Sequence, residues 1–76
     1  MNNKRRKHLR EASRLLEEAQ FLIQQVLDEE QNALDNIPEN LIDGVRAESL
    51  SGAIDHLEDC SDEIDEAMES LESAMT

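Results

Sequence analysis

The 76-residue chain carries nineteen Asp and Glu against seven Lys and Arg, a net charge of −12, with a single aromatic residue and a single cysteine. A chain this short buries only about 60% of the surface that its unfolded state exposes, so a lone core is marginal. One cysteine excludes an internal disulfide and no His/Cys cluster has structural zinc spacing, which leaves self-association as the remaining support.

No apolar run approaches the roughly 18 residues of a membrane span or resembles the apolar region of a signal peptide. With the free thiol of Cys60, which fits a reducing compartment, the expectation is a soluble cytoplasmic protein that does not enter membranes. Charge is unevenly spread. Residues 1–14 hold six bases against Glu11, giving +5, and residues 15–76 hold eighteen acids against Arg46, giving −17; together these make the −12 of the whole chain. So acidic a body repels nucleic acid phosphates, and direct nucleic acid binding is disfavoured everywhere except at the basic start.

That start, Lys4, Arg5, Arg6, Lys7 and Arg10, has no interleaved aromatic on which bases could stack, and acids follow at once. It can bind a nucleic acid or an acidic surface, or it can pair with acids of its own chain or of a second copy. The apolar series Leu9, Ala12, Leu16, Ala19, Ile23, Val26, Ala33 and Ile37 then recurs in steps of three and four, broken only by Glu30. This predicts an amphipathic helix from about Asn3 to Asp35. Phe21 falls opposite that series, among Glu17, Glu18, Gln24 and Gln25. There it is either an exposed anchor for a partner or a dimer, or a cap on the apolar stripe beside Leu22.

Pro38 removes a backbone donor and biases Ile37 away from helical geometry, so a loop is predicted over residues 36–44, with Asp43-Gly44 as a second turn signal. A second helix over about 45–75 has Leu50, Leu57, Ile64 and Leu71 every seven residues, beside a small-residue row of Ala53, Cys60, Ala67 and Ala74. The fold class predicted is an all-α, antiparallel two-helix hairpin of coiled-coil type, a single domain. Its mostly alanine rows, Ala12/Ala19/Val26/Ala33 and Ala53/Cys60/Ala67/Ala74, are expected to face each other. The long side chains Leu15, Leu22, Leu27 and Leu34, with Ile54, Met68 and Met75, are then surplus, and a homodimer meeting there makes a four-helix bundle.

Most acids of the second helix fall outside the expected core, including Asp55, Glu58, Asp59, Asp62, Asp65, Glu66 and Glu69, and no base follows Arg46. Five like-charged pairs lie four residues apart (55/59, 58/62, 59/63, 62/66 and 65/69) and cost roughly 1–2.5 kcal/mol at low salt. Two readings account for that cost. One is solubility, aided by pairing with the basic start, which an antiparallel hairpin places beside residues 62–75. The other is recognition of a basic protein partner.

Chemistry finds little support. His56, Asp59 and Cys60 stand at i, i+3 and i+4, but Cys60 belongs to the small-residue row, where it is more simply a substitute for alanine, so no metal is assigned. The carboxylate clusters resemble those by which all-helical nucleotide pyrophosphohydrolases hold magnesium; here nearly all acids point outward, with no phosphate loop and no activated nucleophile. No catalytic residue and no cofactor is expected.

Residues 28–75 nonetheless resemble a family of small uncharacterised helical proteins of bacteriophages and prophages. The resemblance rests on Asp28-Glu29-Glu30-Gln31, on the run Asp35-Asn36-Ile37-Pro38-Glu39-Asn40-Leu41, on Glu48-Ser49, on Ala53 to Glu58, and on Ile64, Ala67, Leu71, Glu72 and Ala74. The central run is the most specific part, and the chain departs from the pattern over Ile42 to Arg46. The resemblance implies a phage origin and carries over no catalytic residue. Because small acidic phage proteins often block host machinery, the function expected is a protein-binding inhibitor of a defence or nucleic-acid-handling protein. The alternatives are a structural or assembly dimer and a nucleic-acid accessory protein using the basic start.

Overall fold

The computed structural model describes Met1–Thr76. It is an all-α hairpin: helix α1 spans Asn3–Asp35, a short 3-10 turn Glu39–Leu41 lies in the connection, and helix α2 spans Val45–Met75. Local chemistry sets the ends. The Asn2 side chain accepts the Arg5 backbone N–H at 2.9 Å, satisfying one of the donors that a helix N-terminus leaves open. At the other end of α1 the Asn36 N–H still reaches Asn32 O, and Ile37 then turns to Leu34 O before Pro38 takes the chain into extended geometry at ψ 143°. The Pro38 carbonyl accepts from Leu41 N–H at 2.8 Å, and the Gly44 N–H donates to Leu41 O at 3.0 Å. A Cβ on Gly44 would stand 3.1 Å from that same carbonyl, so the close approach favours glycine just before α2.

Two cross-helix hydrogen bonds fix the register. Arg6 Nε donates to Met75 O, and Gln20 Nε2 donates to Ser61 O, both at 3.2 Å. In each pair the residue numbers sum to 81, so Leu27 lies level with Ile54 and Ser13 with Met68. The seam of α1 is therefore Arg6, Leu9, Ser13, Leu16, Gln20, Ile23, Leu27, Glu30, Leu34 and Ile37, every one of them at least half-buried. That of α2 is Ala47, Leu50, Ile54, Leu57, Ser61, Ile64, Met68, Leu71 and Met75, equally covered. These are unbroken three-four repeats, positions a and d of a heptad.

The expected pairing of alanine rows is overturned. Leu27 is 8% exposed and Ile54 6%, whereas Val26, assigned to the seam by the sequence, is 43% exposed, and Ala67 and Ala74 also face outward. Leu34, Met68 and Met75 likewise pack within the hairpin, and of the supposed surplus only Leu15 and Leu22 remain outside. The physical reason is area: burying Leu, Ile or Met removes far more apolar surface from water than burying Ala, at about 25 cal/mol per Å². That gain carries three polar residues of α1, Ser13, Gln20 and Glu30, into the seam with it.

Candidate interaction surfaces

The register divides the outside of the hairpin into two unlike flanks. On one, Gln24, Asp28 and Gln31 of α1 share a groove with Glu58, Ser61 and Asp62 of α2, and nearer the termini Glu17 shares one with Asp65, Glu69 and Glu72. The heptad rows b and e of both helices therefore lie together on this flank. They hold ten acids against Lys7, Arg10 and Arg14, a net −7. Asp55, Glu58, Asp62, Asp65 and Glu69 stand here, Asp59 and Glu66 lie on the outer back of α2 next to it, and all seven are exposed.

Phe21 projects from the acidic flank, 64% exposed, lining a shallow depression with Glu17, Glu18 and Leu22. At the waist of the same flank Gln20 Nε2 also donates to Asp65 Oδ1 at 2.8 Å, tying an acid to the seam. The other amide oxygen, Gln20 Oε1, is buried without a partner, and Ser61 beside it is 9% exposed. A polar layer thus crosses the middle of the core.

The acids are not neutralised by the chain's own bases. The ion pairs of the structure are both within α1, Arg14 to Glu11 at 2.6 Å and Arg14 to Glu18 at 2.7 Å, and none joins the helices. The hydrogen bond from Arg14, then its charge, holds the Glu11 carboxyl below its ordinary 4.5, and Arg14 is correspondingly raised. Arg6 does reach α2, at the Met75 carbonyl, where a cation suits the negative end of the helix. Lys4, Arg5, Lys7 and Arg10 are exposed. The expected pairing of the basic start with residues 62–75 is thus reduced to one helix-end contact.

The opposite flank carries rows g and c. Ala12, Leu15, Ala19, Leu22, Val26 and Ala33 come from α1, and Ala53, Cys60, Ala67 and Ala74 from α2. The two small-residue rows that the sequence set face to face therefore lie side by side on one surface. Its charges are Arg5, Arg46, Glu29 and Glu63, which sum to zero in a chain of −12. At the loop end this surface runs into an apolar groove lined by Ala33, Ile37, Pro38, Leu41 and Val45, of which Val45 is 84% exposed and Leu41 56%. The sequence reading missed this neutral flank and the exposed Leu41, Ile42 and Val45. Charge counted row by row is the signal that reveals the flank.

No group of three His, Cys, Asp or Glu side chains is placed to share a metal ion, and His56 and Asp59 point outward beside a half-buried Cys60. No helix is long and apolar enough to cross a membrane. Comparisons with family models, with curated proteins and with solved structures give no match.

Proposed function

We propose that the chain is a non-catalytic protein-interaction module of the cytoplasm that works as a homodimer and offers its acidic flank to a basic protein surface. The observation that carries this reading is the lack of any ion pair between the helices: ten acids on one flank stay unsatisfied by the fold's own cations. Their mutual repulsion lowers stability, so they serve something other than the hairpin. Phe21 on the same flank supplies an aromatic anchor of the kind that dominates interface energetics. The Asp35 to Leu41 resemblance supports the narrower form of the proposal, a phage-encoded inhibitor of a host defence or nucleic-acid-handling protein.

The test is affinity capture from bacterial lysate with the wild type and with the Asp55→Asn, Asp59→Asn, Asp62→Asn, Glu66→Gln variant in parallel. A protein retained by the wild type, released by salt and not retained by the variant supports the proposal. Equal retention by both removes the acidic flank from the function. The exposed bases Lys4, Arg5, Lys7 and Arg10 favour a second reading, a nucleic-acid accessory role. Salt-dependent binding of a labelled oligonucleotide, lost when Lys4 to Lys7 become alanine, would establish it instead.

A further inference from the structure

We infer that the second copy docks on the neutral flank, through Leu15, Leu22 and Val26 of α1 and the small row around Cys60 of α2, so that both acidic flanks and both Phe21 side chains face outward. This rests on the proposal that the chain is a homodimer and assigns the face, which differs from the one the sequence suggested.

Three observations converge on it. The first is area. The hairpin measures 59 × 15 × 13 Å and exposes 5804 Å², whereas a compact protein of 8.6 kDa exposes about 4,700 Å². A flank of about 59 × 13 Å offers roughly 770 Å², close to the ~800 Å² per partner of a stable interface. The second is charge. Two copies at −12 repel each other over every acidic surface, and the flank whose charges cancel is where they can meet at least electrostatic cost. The third is shape. Alanine rows let helix axes approach to about 8 Å, and Leu15 and Leu22, 50% and 60% exposed, stand beside those rows as ridges that can enter them. Face-to-face packing of two such hairpins yields a four-helix bundle whose second core is this flank.

The experiment is sedimentation equilibrium over a wide concentration range, with circular dichroism to confirm helicity, on three proteins. The wild type is expected at twice the chain mass of 8.6 kDa. Leu22→Glu/Val26→Glu, which changes only exposed positions of the free hairpin, is expected to stay helical and to run at one chain mass. Phe21→Glu, on the opposite flank, is expected to remain a dimer. Alkylation of Cys60, half-buried in the hairpin, gives a second readout. It should be at least tenfold slower in the dimer than in the Leu22/Val26 variant.

A wild type of one chain mass at all concentrations would overturn the homodimer and this face together. A dimer that survives Leu22→Glu/Val26→Glu with unchanged Cys60 reactivity would overturn the face alone. Loss of the dimer on Phe21→Glu with the Leu22/Val26 variant still dimeric would move the interface to the acidic flank and likewise refute the assignment.

Discussion

Replacing Gln20 by leucine should stabilise the protein, although it removes two hydrogen bonds. Gln20 sits half-buried at an a position level with Ser61, and its Oε1 has no partner. A buried acceptor left unmade costs about 1–3 kcal/mol. Leucine at a half-covered site adds about 1 kcal/mol of apolar burial. Against this, the bond to Ser61 O supplements a carbonyl that the helix already uses, and the bond to the exposed Asp65 competes with water, so each is worth about 0.5–1 kcal/mol. The balance is a gain of about 1–2 kcal/mol, or roughly 5–10 °C in Tm for a chain of this size. Thermal denaturation by circular dichroism reads it, at fixed chain concentration because self-association makes Tm concentration-dependent. An unchanged or lowered Tm would refute the reasoning and mean that Oε1 is satisfied by solvent. What leucine removes is register information, since one polar layer at a core position discriminates against slipped alignments.

Leu27→Ala, at 8% exposure, should cost about 2–4 kcal/mol in chemical denaturation, while Val26→Ala in protein diluted to single chains should cost under about 0.5; reversed values would restore the alanine-row seam. Neutralising Asp55, Asp59, Asp62 and Glu66 relieves four of the five like-charged i,i+4 pairs and should add about 0.8–2 kcal/mol at low salt. That gain should shrink in high salt, and a gain independent of salt would point to helix propensity instead. Because the Glu11 carboxyl is held below its ordinary value by Arg14, its contribution is present above about pH 4.5 and lost as pH falls through the depressed value. The Tm difference between the wild type and Glu11→Gln should therefore close in acid, and a difference that widens there would contradict the assignment.

The two-helix hairpin was legible because its signals are local and redundant. Pro38 and the Asp43-Gly44 turn interrupt two long amphipathic repeats, and no alternative period competes with 3.6. The seam of α1 was not legible for an equally definite reason. Row a of that helix is Arg6, Ser13, Gln20, Leu27 and Leu34, polar for its first three members, while row g is Ala12, Ala19, Val26 and Ala33, apolar throughout. Hydrophobicity counted along one helix selects row g. The decision is made by the partner helix, where Ile54, Met68 and Met75 need something long to pack against, and only a two-helix count of buried area puts Leu27 and Leu34 there.

That one-row error hid the functional geometry as well. With the alanine rows placed inside, every outward row looks acidic, and the acids read as a uniform solvated coat. With them placed outside, the same nineteen acids separate into a flank of net −7 and a flank of zero. A coat that served only solubility has no reason to leave one flank bare, since repulsion along α2 falls as the same charges spread over more rows. Crowding them onto rows b, e and f keeps the acid load of α2 almost entirely off its neutral side, with Glu63 alone remaining there. The arrangement is that of a surface with two tasks, one flank kept neutral for a like-charged copy and the other kept charged for an unlike one.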